Sequence, residues 1–133
     1  SNEVDDIKPF LFSAADLAFA KSGTINMELA LNSVPTIVGY KVSRVTAFFV
    51  RYLLGFNVKY ISIVNLILNK MLIPEFVQEN FKAEKIFNAA LRILEDNSTK
   101  EDIKVGYKIL KDKLGKPGVT DRASNDILDL LVQ

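Results

Sequence analysis

The chain has 133 residues, of which 49% are hydrophobic and 25% are charged, a length that suits one domain with a single hydrophobic core. Its 17 basic residues against 16 acidic ones leave a formal charge of +1, so no overall positive field exists to gather nucleic acid, and we expect no nucleic-acid partner. It contains neither cysteine nor histidine, which excludes disulfides, thiol nucleophiles, imidazole bases and the usual zinc or copper ligand sets.

Short apolar runs alternate with helical patterns in the first part of the chain. Strands are predicted at Leu17–Ala20, Thr36–Val38 and Tyr60–Ile63, and helices at Met27–Leu31 and Val45–Leu54. Strands without polar alternation are typical of a parallel sheet that is covered on both faces. The sequence therefore predicts an α/β fold, with a partial parallel sheet of about three to four strands flanked by helices.

The pattern becomes purely helical in the C-terminal part of the chain. A helix is predicted to begin near Lys82-Ala83, and a further helix is predicted to end before Gly115. We therefore predict one domain, 1–133, with a β/α part at about 7–80 and a helical tail at about 81–133.

The start of the chain is acidic, the opposite of the basic and then apolar start of a secretion signal, so we expect a cytoplasmic protein. Arg44, Arg51 and Lys59 interrupt the most hydrophobic region, which leaves no run of about 20 apolar residues for a spanning helix.

The aromatic helix predicted within 44–56 has two interpretations. It lies on an anionic inner leaflet, which makes the protein peripheral to the membrane, or it packs on the sheet. Its apolar residues cover most of the circumference, which favours packing.

The turn Ser22-Gly23-Thr24 joins a predicted strand to a predicted helix. Free backbone N–H groups, hydroxyls and the positive end of the helix dipole converge at such a turn, which suits a phosphate. Glycine allows close backbone approach, and Glu28, about one turn later, is placed to accept hydrogen bonds from a ribose. The alternative is that a hydroxyl only caps the helix and that Glu28 is solvated.

A second polar cluster consists of Asn65, Pro74-Glu75 and Gln78. Asn65 follows a predicted strand, which is where open α/β sheets place their ligand crevices. Pro74 in the first turn of a predicted helix, with Glu75 and Gln78 behind it, also reads as an ordinary helix start. Without other information, the second interpretation is favoured.

Both clusters, together with the segments between them, match one known family in order and spacing: they resemble the lipid-A-disaccharide synthases. The similarity is carried by Ser22-Gly23-Thr24 with Glu28, Pro35–Lys41, Tyr60–Ser62, Asn65, and Pro74-Glu75 with Gln78. It is densest from Lys21 to Gln78, and the helical tail fits more loosely. Related two-domain glycosyltransferases share the turn and the glutamate, so the whole series is the specific signal.

The resemblance implies the C-terminal half of a two-domain, Rossmann-like glycosyltransferase fold. It implies an inverting transfer of diacylglucosamine from a UDP-linked donor to diacylglucosamine 1-phosphate in lipid A biosynthesis, without a metal or a cofactor. The family's functional positions form a nucleotide-binding set and a donor-sugar set. These are Ser22, Gly23, Thr24 and Glu28 for the nucleotide, and Asn65, Glu75 and Gln78 for the sugar.

The chain also departs from the family. Members are far longer, and this chain corresponds to a start at about the third strand of their C-terminal domain. We therefore expect the N-terminal acceptor domain and the general base to lie outside it, and the fragment alone to be inactive. Val64 stands where the family usually has proline, which leaves the backbone before Asn65 less constrained. An unpaired sheet edge favours pairing with a second copy, as a homodimer or a swapped assembly.

Two other functions stay open at this point. One is a binding or assembly module that keeps the fold but performs no chemistry. The other is a different UDP-sugar transferase with the same turn. Binding of UDP would favour a transferase over the non-catalytic module. A preference for acylated sugars would favour a lipid-A-disaccharide synthase over a different UDP-sugar transferase.

Overall fold

A computed structural model describes residues 2–41, 43 and 59–115 of the chain. Within these residues three short strands form one parallel sheet, in the order β1-β2-β3. The strands are β1 (Ala18–Lys21), β2 (Thr36–Tyr40) and β3 (Glu75–Val77), and the helices are α1 (Asn2–Ala14), α2 (Ile25–Leu31), α3 (Ile63–Leu68), α4 (Ala83–Glu95) and α5 (Asn97–Leu114), with a single 3-10 turn at Gln78–Asn80. The predicted α/β fold, with a parallel sheet and a helical C-terminal part, is confirmed.

The sheet is built around β2, whose residues are buried except for the half-buried Tyr40. Parallel strands need a crossover between them, and α2 provides it for β1 and β2. Their register aligns Ala18 with Thr36 and Lys21 with Gly39, while β3 aligns Val77 with Tyr40. The strand predictions at Leu17–Ala20 and Thr36–Val38 are therefore confirmed.

The strand predicted at Tyr60–Ile63 is wrong, because Ile63 begins helix α3. Ser62 is the N-cap of this helix, and its hydroxyl oxygen accepts a hydrogen bond from the Val64 N–H at 3.2 Å. Asn65 therefore lies inside a helix and does not follow a strand. The capping hydroxyl outweighs the apolar run, because it satisfies a helix donor that would otherwise stay unpaired.

The third strand lies instead at Glu75–Val77, where a helix start had been predicted from Pro74. Proline lacks a backbone N–H, so it is tolerated at the first position of a strand as well as at a helix start. Here the Pro74 carbonyl oxygen accepts a hydrogen bond from the Val38 N–H at 2.9 Å, which ties the entry of β3 to β2.

The core fills the space between the sheet and helices α2, α3, α4 and α5. Its buried members are mostly aliphatic: Met27, Ala30, Ile37, Val38, Val64, Ile73, Ile93, Ile103, Tyr107 and Leu110. A smaller cluster of Ala20, Leu29 and Val34 receives Phe12 from α1. Ile7, Phe10 and Leu11 of α1 are exposed, and Phe10 is 79% exposed.

One glycine of β2 lies between two aromatic rings. A Cβ atom added to Gly39 would lie 2.5 Å from ring atoms of both Phe19 and Phe81. These two rings also contact each other, with centroids 6.2 Å apart and planes tilted by 59°. A larger residue at position 39 would therefore require one or both rings to shift, and the constraint comes from packing and not from backbone conformation.

The helical tail begins where the sequence predicts it, with Lys82 as the N-cap of α4. Asp96 caps α5, and its carboxylate accepts a hydrogen bond from the Ser98 N–H at 3.0 Å. Gly115 ends α5 with a φ of +75°, a backbone conformation that favours glycine.

Among the described helices, none has both the length and the hydrophobicity needed to cross a bilayer. The helix predicted at Val45–Leu54 lies outside the described residues, as does its membrane or sheet contact.

Candidate nucleotide site at the carboxyl edge of the sheet

The predicted nucleotide turn lies at the carboxyl edge of the sheet. Ser22 follows β1, Lys41 follows β2 and Gln78 follows β3, so the three chain segments leave the sheet at the same edge. Open parallel sheets bind their ligands at this edge. The fold thus brings the turn and the end of β3 to a common side.

The backbone of the turn leaves its amide groups available. The Gly23 carbonyl oxygen accepts a hydrogen bond from the Asn26 N–H at 3.2 Å, and the Thr24 carbonyl oxygen accepts one from the Met27 N–H at 3.0 Å. Within the described residues, the N–H groups of Gly23, Thr24 and Ile25 donate to no protein acceptor. Such unpaired N–H groups at the start of a helix attract anions.

Gly23 has a φ of +152°, and an added Cβ atom would meet nothing within 4 Å. The glycine is therefore required by its backbone conformation and not by crowding, because L-residues rarely adopt this φ. Thr24 stands at the N-cap position of α2 but makes no side-chain cap hydrogen bond. The interpretation of the turn as an ordinary N-cap is not what the structure shows, since the Thr24 hydroxyl is left exposed to solvent.

Ser22 has a different role from its neighbours in the turn. Its hydroxyl donates to the Ile61 carbonyl oxygen at 3.2 Å and joins the turn to the segment before α3. A serine hydroxyl has only one proton to donate, so while this bond is present Ser22 cannot donate to a phosphate. Its predicted contact with a diphosphate stays a prediction.

Asn65 and Glu75 are brought together, but both turn their polar ends into the protein. The Asn65 Nδ2 donates to Glu75 Oε1 at 2.8 Å and to the Ile73 carbonyl oxygen at 2.8 Å. The Asn65 Oδ1 accepts from the N–H groups of Leu72 and Ile73, at 2.8 and 3.0 Å. The Asn65 side chain is fully buried and satisfied. Its predicted place on the donor-sugar side, like that of Glu75, stays a prediction.

Glu28 and Gln78 lie at the surface and at the sheet edge, respectively. Glu28 forms an ion pair with Lys8 of α1 at 3.6 Å, with its side chain 46% exposed. Gln78 has a φ of +51°, and its buried Nε2 has no hydrogen-bond partner among residues 2–41, 43 and 59–115. No contact links Glu28 to Asn65 or Gln78 within the described residues, so their joint use on one ligand stays a prediction.

Comparison with known proteins agrees with this arrangement of motifs. A family model described as lipid-A-disaccharide synthetase matches residues 3–124, a range that includes the turn, the Asn65–Glu75 pair and helices α4 and α5. This chain belongs to the lipid-A-disaccharide synthetase family.

Curated relatives show the same relationship. The lipid-A-disaccharide synthase of Prochlorococcus marinus (strain MIT 9313) is 52% identical over 130 residues, which cover 98% of this chain and 33% of the relative. That of Synechocystis sp. (strain ATCC 27184 / PCC 6803 / Kazusa) is 39% identical over 117 residues, covering 88% of this chain and 30% of the relative. That of Paramagnetospirillum magneticum (strain ATCC 700264 / AMB-1) is 32% identical over 124 residues, covering 92% of this chain and 32% of the relative. The chain thus spans about a third of these lipid-A-disaccharide synthases.

Two features of the family's turn were missed by sequence reasoning. Asn26 is fully buried in the first turn of α2, and both polar atoms of its side chain lack a hydrogen-bond partner in the part of the chain that the structure describes. The available signal was a polar residue directly beside the apolar Met27 in a helix facing the core. Lys21 was also missed, and its ammonium lies 5.6 Å from the ring centroid of Tyr40 at the carboxyl edge. A lysine and a tyrosine at the ends of adjacent predicted parallel strands are the signal for this contact.

One described cavity includes Pro74, at the entry of β3, and none of the residues of the turn. It has a volume of about 640 Å³ and is lined by Pro74, which precedes β3, and by residues of α4 and α5 such as Arg92 and Asp102. Among the described residues, no group of three or more acidic side chains is arranged to hold a metal ion. The candidate site is therefore defined by its backbone donors and not by a closed pocket.

Proposed function

We propose that this chain forms the donor-nucleotide-binding part of a lipid-A-disaccharide synthase-type glycosyltransferase. In this proposal the full enzyme transfers diacylglucosamine from its UDP donor to diacylglucosamine 1-phosphate. The remaining two thirds of the protein, as judged from its relatives, would supply the acceptor site and the general base. The supporting observation is the row of N–H groups at Gly23, Thr24 and Ile25 that have no acceptor among the described residues, at the carboxyl edge of the sheet and inside the segment that matches the family.

The chemistry follows from these donors. When the bond from the sugar to the UDP phosphate breaks, negative charge grows on the leaving diphosphate. Backbone N–H groups held in place at a helix start stabilise that charge without reorganising, and the Thr24 hydroxyl adds one more donor. Stabilisation that is larger in the transition state than in the ground state accelerates transfer. No metal and no cofactor are required in this proposal.

Isothermal titration calorimetry of the chain with UDP tests this function. Thr24→Val keeps the shape of the side chain and removes its hydroxyl. Loss of one hydrogen bond to a charged group costs about 1.5–3 kcal/mol, which corresponds to a dissociation constant raised about 10- to 100-fold. Glu84→Gln, an exposed change in the first turn of α4, is the matched control and should leave UDP affinity unchanged.

Transfer itself is tested in a chimera in which this chain replaces the matching third of the Prochlorococcus relative. We expect the chimera to release UDP from a UDP-linked acylated glucosamine, and we expect less release after Thr24→Val. A chimera that folds and binds UDP but transfers nothing would argue for a non-catalytic binding module. Transfer without preference for acylated sugars would argue for a different UDP-sugar transferase.

The same proposal includes the surroundings of the enzyme. We infer a cytoplasmic location with peripheral contact to the inner leaflet, because the proposed substrates carry acyl chains. Sedimentation of the chimera with anionic vesicles tests this contact. Self-association through the edge of β1 that has no strand partner among the described residues belongs to the proposal as well, and analytical ultracentrifugation of the chain tests it.

A further inference from the structure

The carboxylate of Glu75 collects three hydrogen-bond donors from one neighbouring segment. Its Oε2 accepts from the Ile61 N–H at 2.8 Å, and its Oε1 accepts from the Ser62 N–H at 2.8 Å. The third donor is the Asn65 Nδ2, also at 2.8 Å. A carboxylate suits this position because it only accepts hydrogen bonds, whereas a glutamine would place an NH₂ group against at least one of these donors.

The Ile61–Ser62 segment lies between this carboxylate and the nucleotide turn. The N–H of Ile61 is held by Glu75, while its carbonyl oxygen accepts from the Ser22 hydroxyl at 3.2 Å. One residue therefore connects the start of β3 to the turn after β1. Buried Asn65 completes the arrangement, because it ties Glu75 to the backbone of Leu72 and Ile73 on the other side.

We propose that Glu75 and Asn65 are positioning residues that act through Ile61 and Ser22 on the nucleotide turn. They hold the turn so that the N–H groups after Ser22 face the donor diphosphate, and they do not themselves contact the donor sugar. This role rests on the proposed function, because it supposes that the turn binds the diphosphate. The saturation of Asn65 by four hydrogen bonds supports it, since that side chain has no group left for a ligand.

The decisive variant is Glu75→Gln, with Glu79→Gln as its matched control. Glu79 loses the same charge four residues further along, but it is exposed. Nuclear magnetic resonance of the full chain reports two local quantities: hydrogen exchange at the Ile61 and Ser62 amides, and the ¹⁵N order parameters of the turn. For Glu75→Gln we expect at least about tenfold faster exchange at both amides, and turn order parameters falling from about 0.85 towards 0.6. Glu79→Gln should change neither quantity.

Ligand affinity separates positioning from direct contact. UDP and UDP-N-acetylglucosamine share the diphosphate, and only the second carries a sugar. A positioning role weakens both by the same factor, about tenfold, whereas a sugar contact weakens only UDP-N-acetylglucosamine. The effect of Glu75→Gln should also largely disappear when Ser22→Ala is already present, because the connection is then cut at its other end. An equal effect with and without Ser22→Ala would overturn the proposal.

Failure of the proposed function would look different. If the unmodified chain binds neither ligand, the nucleotide assignment fails, and the order parameters of the turn then decide the positioning role. Turn order lost in Glu75→Gln but kept in Glu79→Gln upholds it, and unchanged turn order refutes it. If Glu75→Gln does not fold, Ser22→Ala alone replaces it, with the same expected loss of turn order and an unchanged exchange rate in the core.

Discussion

The hydroxyl of Tyr107 permits a quantitative test of how α5 is joined to the sheet. Tyr107 is 1% exposed, and its hydroxyl donates to the Val34 carbonyl oxygen at 3.0 Å, just before β2. The hydroxyl of Thr36 donates to the same oxygen at 2.9 Å. Tyr107→Phe removes one donor without leaving a cavity, and the oxygen keeps the other. We therefore expect a loss of about 0.5–1.5 kcal/mol in the free energy of unfolding.

Removing both donors should cost more than the sum of the two single changes. In Tyr107→Phe combined with Thr36→Val, the Val34 oxygen is buried without either hydroxyl, which adds about 1–3 kcal/mol. Urea unfolding followed by circular dichroism at neutral pH measures all four proteins. Strict additivity would show that the two hydroxyls do not share this oxygen.

The same tyrosine predicts a loss of stability at alkaline pH. Burial raises the pKa of Tyr107 to about 12 from its ordinary value of 10.0. Between these two values the unfolded chain releases the phenol proton and the folded chain retains it, so the free energy of unfolding falls as pH rises. A pKa difference of about two units between the folded and the unfolded chain lowers the free energy of unfolding by at most about 3 kcal/mol. Tyr107→Phe should lack this part of the decline, and parallel pH curves for the two proteins would refute the reasoning.

Three further predictions concern other parts of the chain. Asn26→Ala should raise the free energy of unfolding by about 1 kcal/mol, because it removes two unpaired buried groups; a loss of similar size would mean that Asn26 has a partner in solution. Hydrogen bonds from Thr99 and Ser98 lower the pKa of Asp96 below its usual 3.8. The stability that the Asp96 carboxylate provides is therefore present above that value and lost as pH falls. In Asp96→Asn, the melting temperature should decrease less steeply as the pH is lowered through the acid range. Gly39→Ala should lower the free energy of unfolding by about 1–3 kcal/mol through overpacking against two phenylalanine rings, and an unchanged melting temperature would show that the rings move aside freely.

Local sequence patterns were sufficient for β1, β2 and the start of α4. Apolar residues on successive positions marked β2 as a central strand, and the helical stripe after residue 82 marked α4. They failed at β3, because a three-residue strand has too little length for any periodicity. Pro74 is compatible with a strand entry or a helix start, and only its carbonyl contact with Val38 decides between them.

The position of the Ser22–Thr24 turn between β1 and α2 could be predicted, but the direction of its side chains could not. The Ser22 hydroxyl points to a carbonyl 39 residues away, and no local rule encodes that contact. Glu75 was recognised as a site residue through family resemblance. Two of its three donors, however, the N–H groups of Ile61 and Ser62, come from a segment that is predicted as a strand. Long-range hydrogen bonds between irregular segments are the part of this site that sequence reasoning does not reach.

The hydrogen bonds of Glu75 have a consequence for the order in which the site is assembled during synthesis. The carboxylate emerges from the ribosome 14 residues after Ile61, the residue it fastens. By then β1, α2 and β2 have been made, so the first crossover unit can form before its anchor exists. A nascent chain arrested before Glu75 would therefore carry the Ser22–Thr24 turn without its anchor, and the proposed nucleotide affinity would be acquired only as β3 joins the sheet.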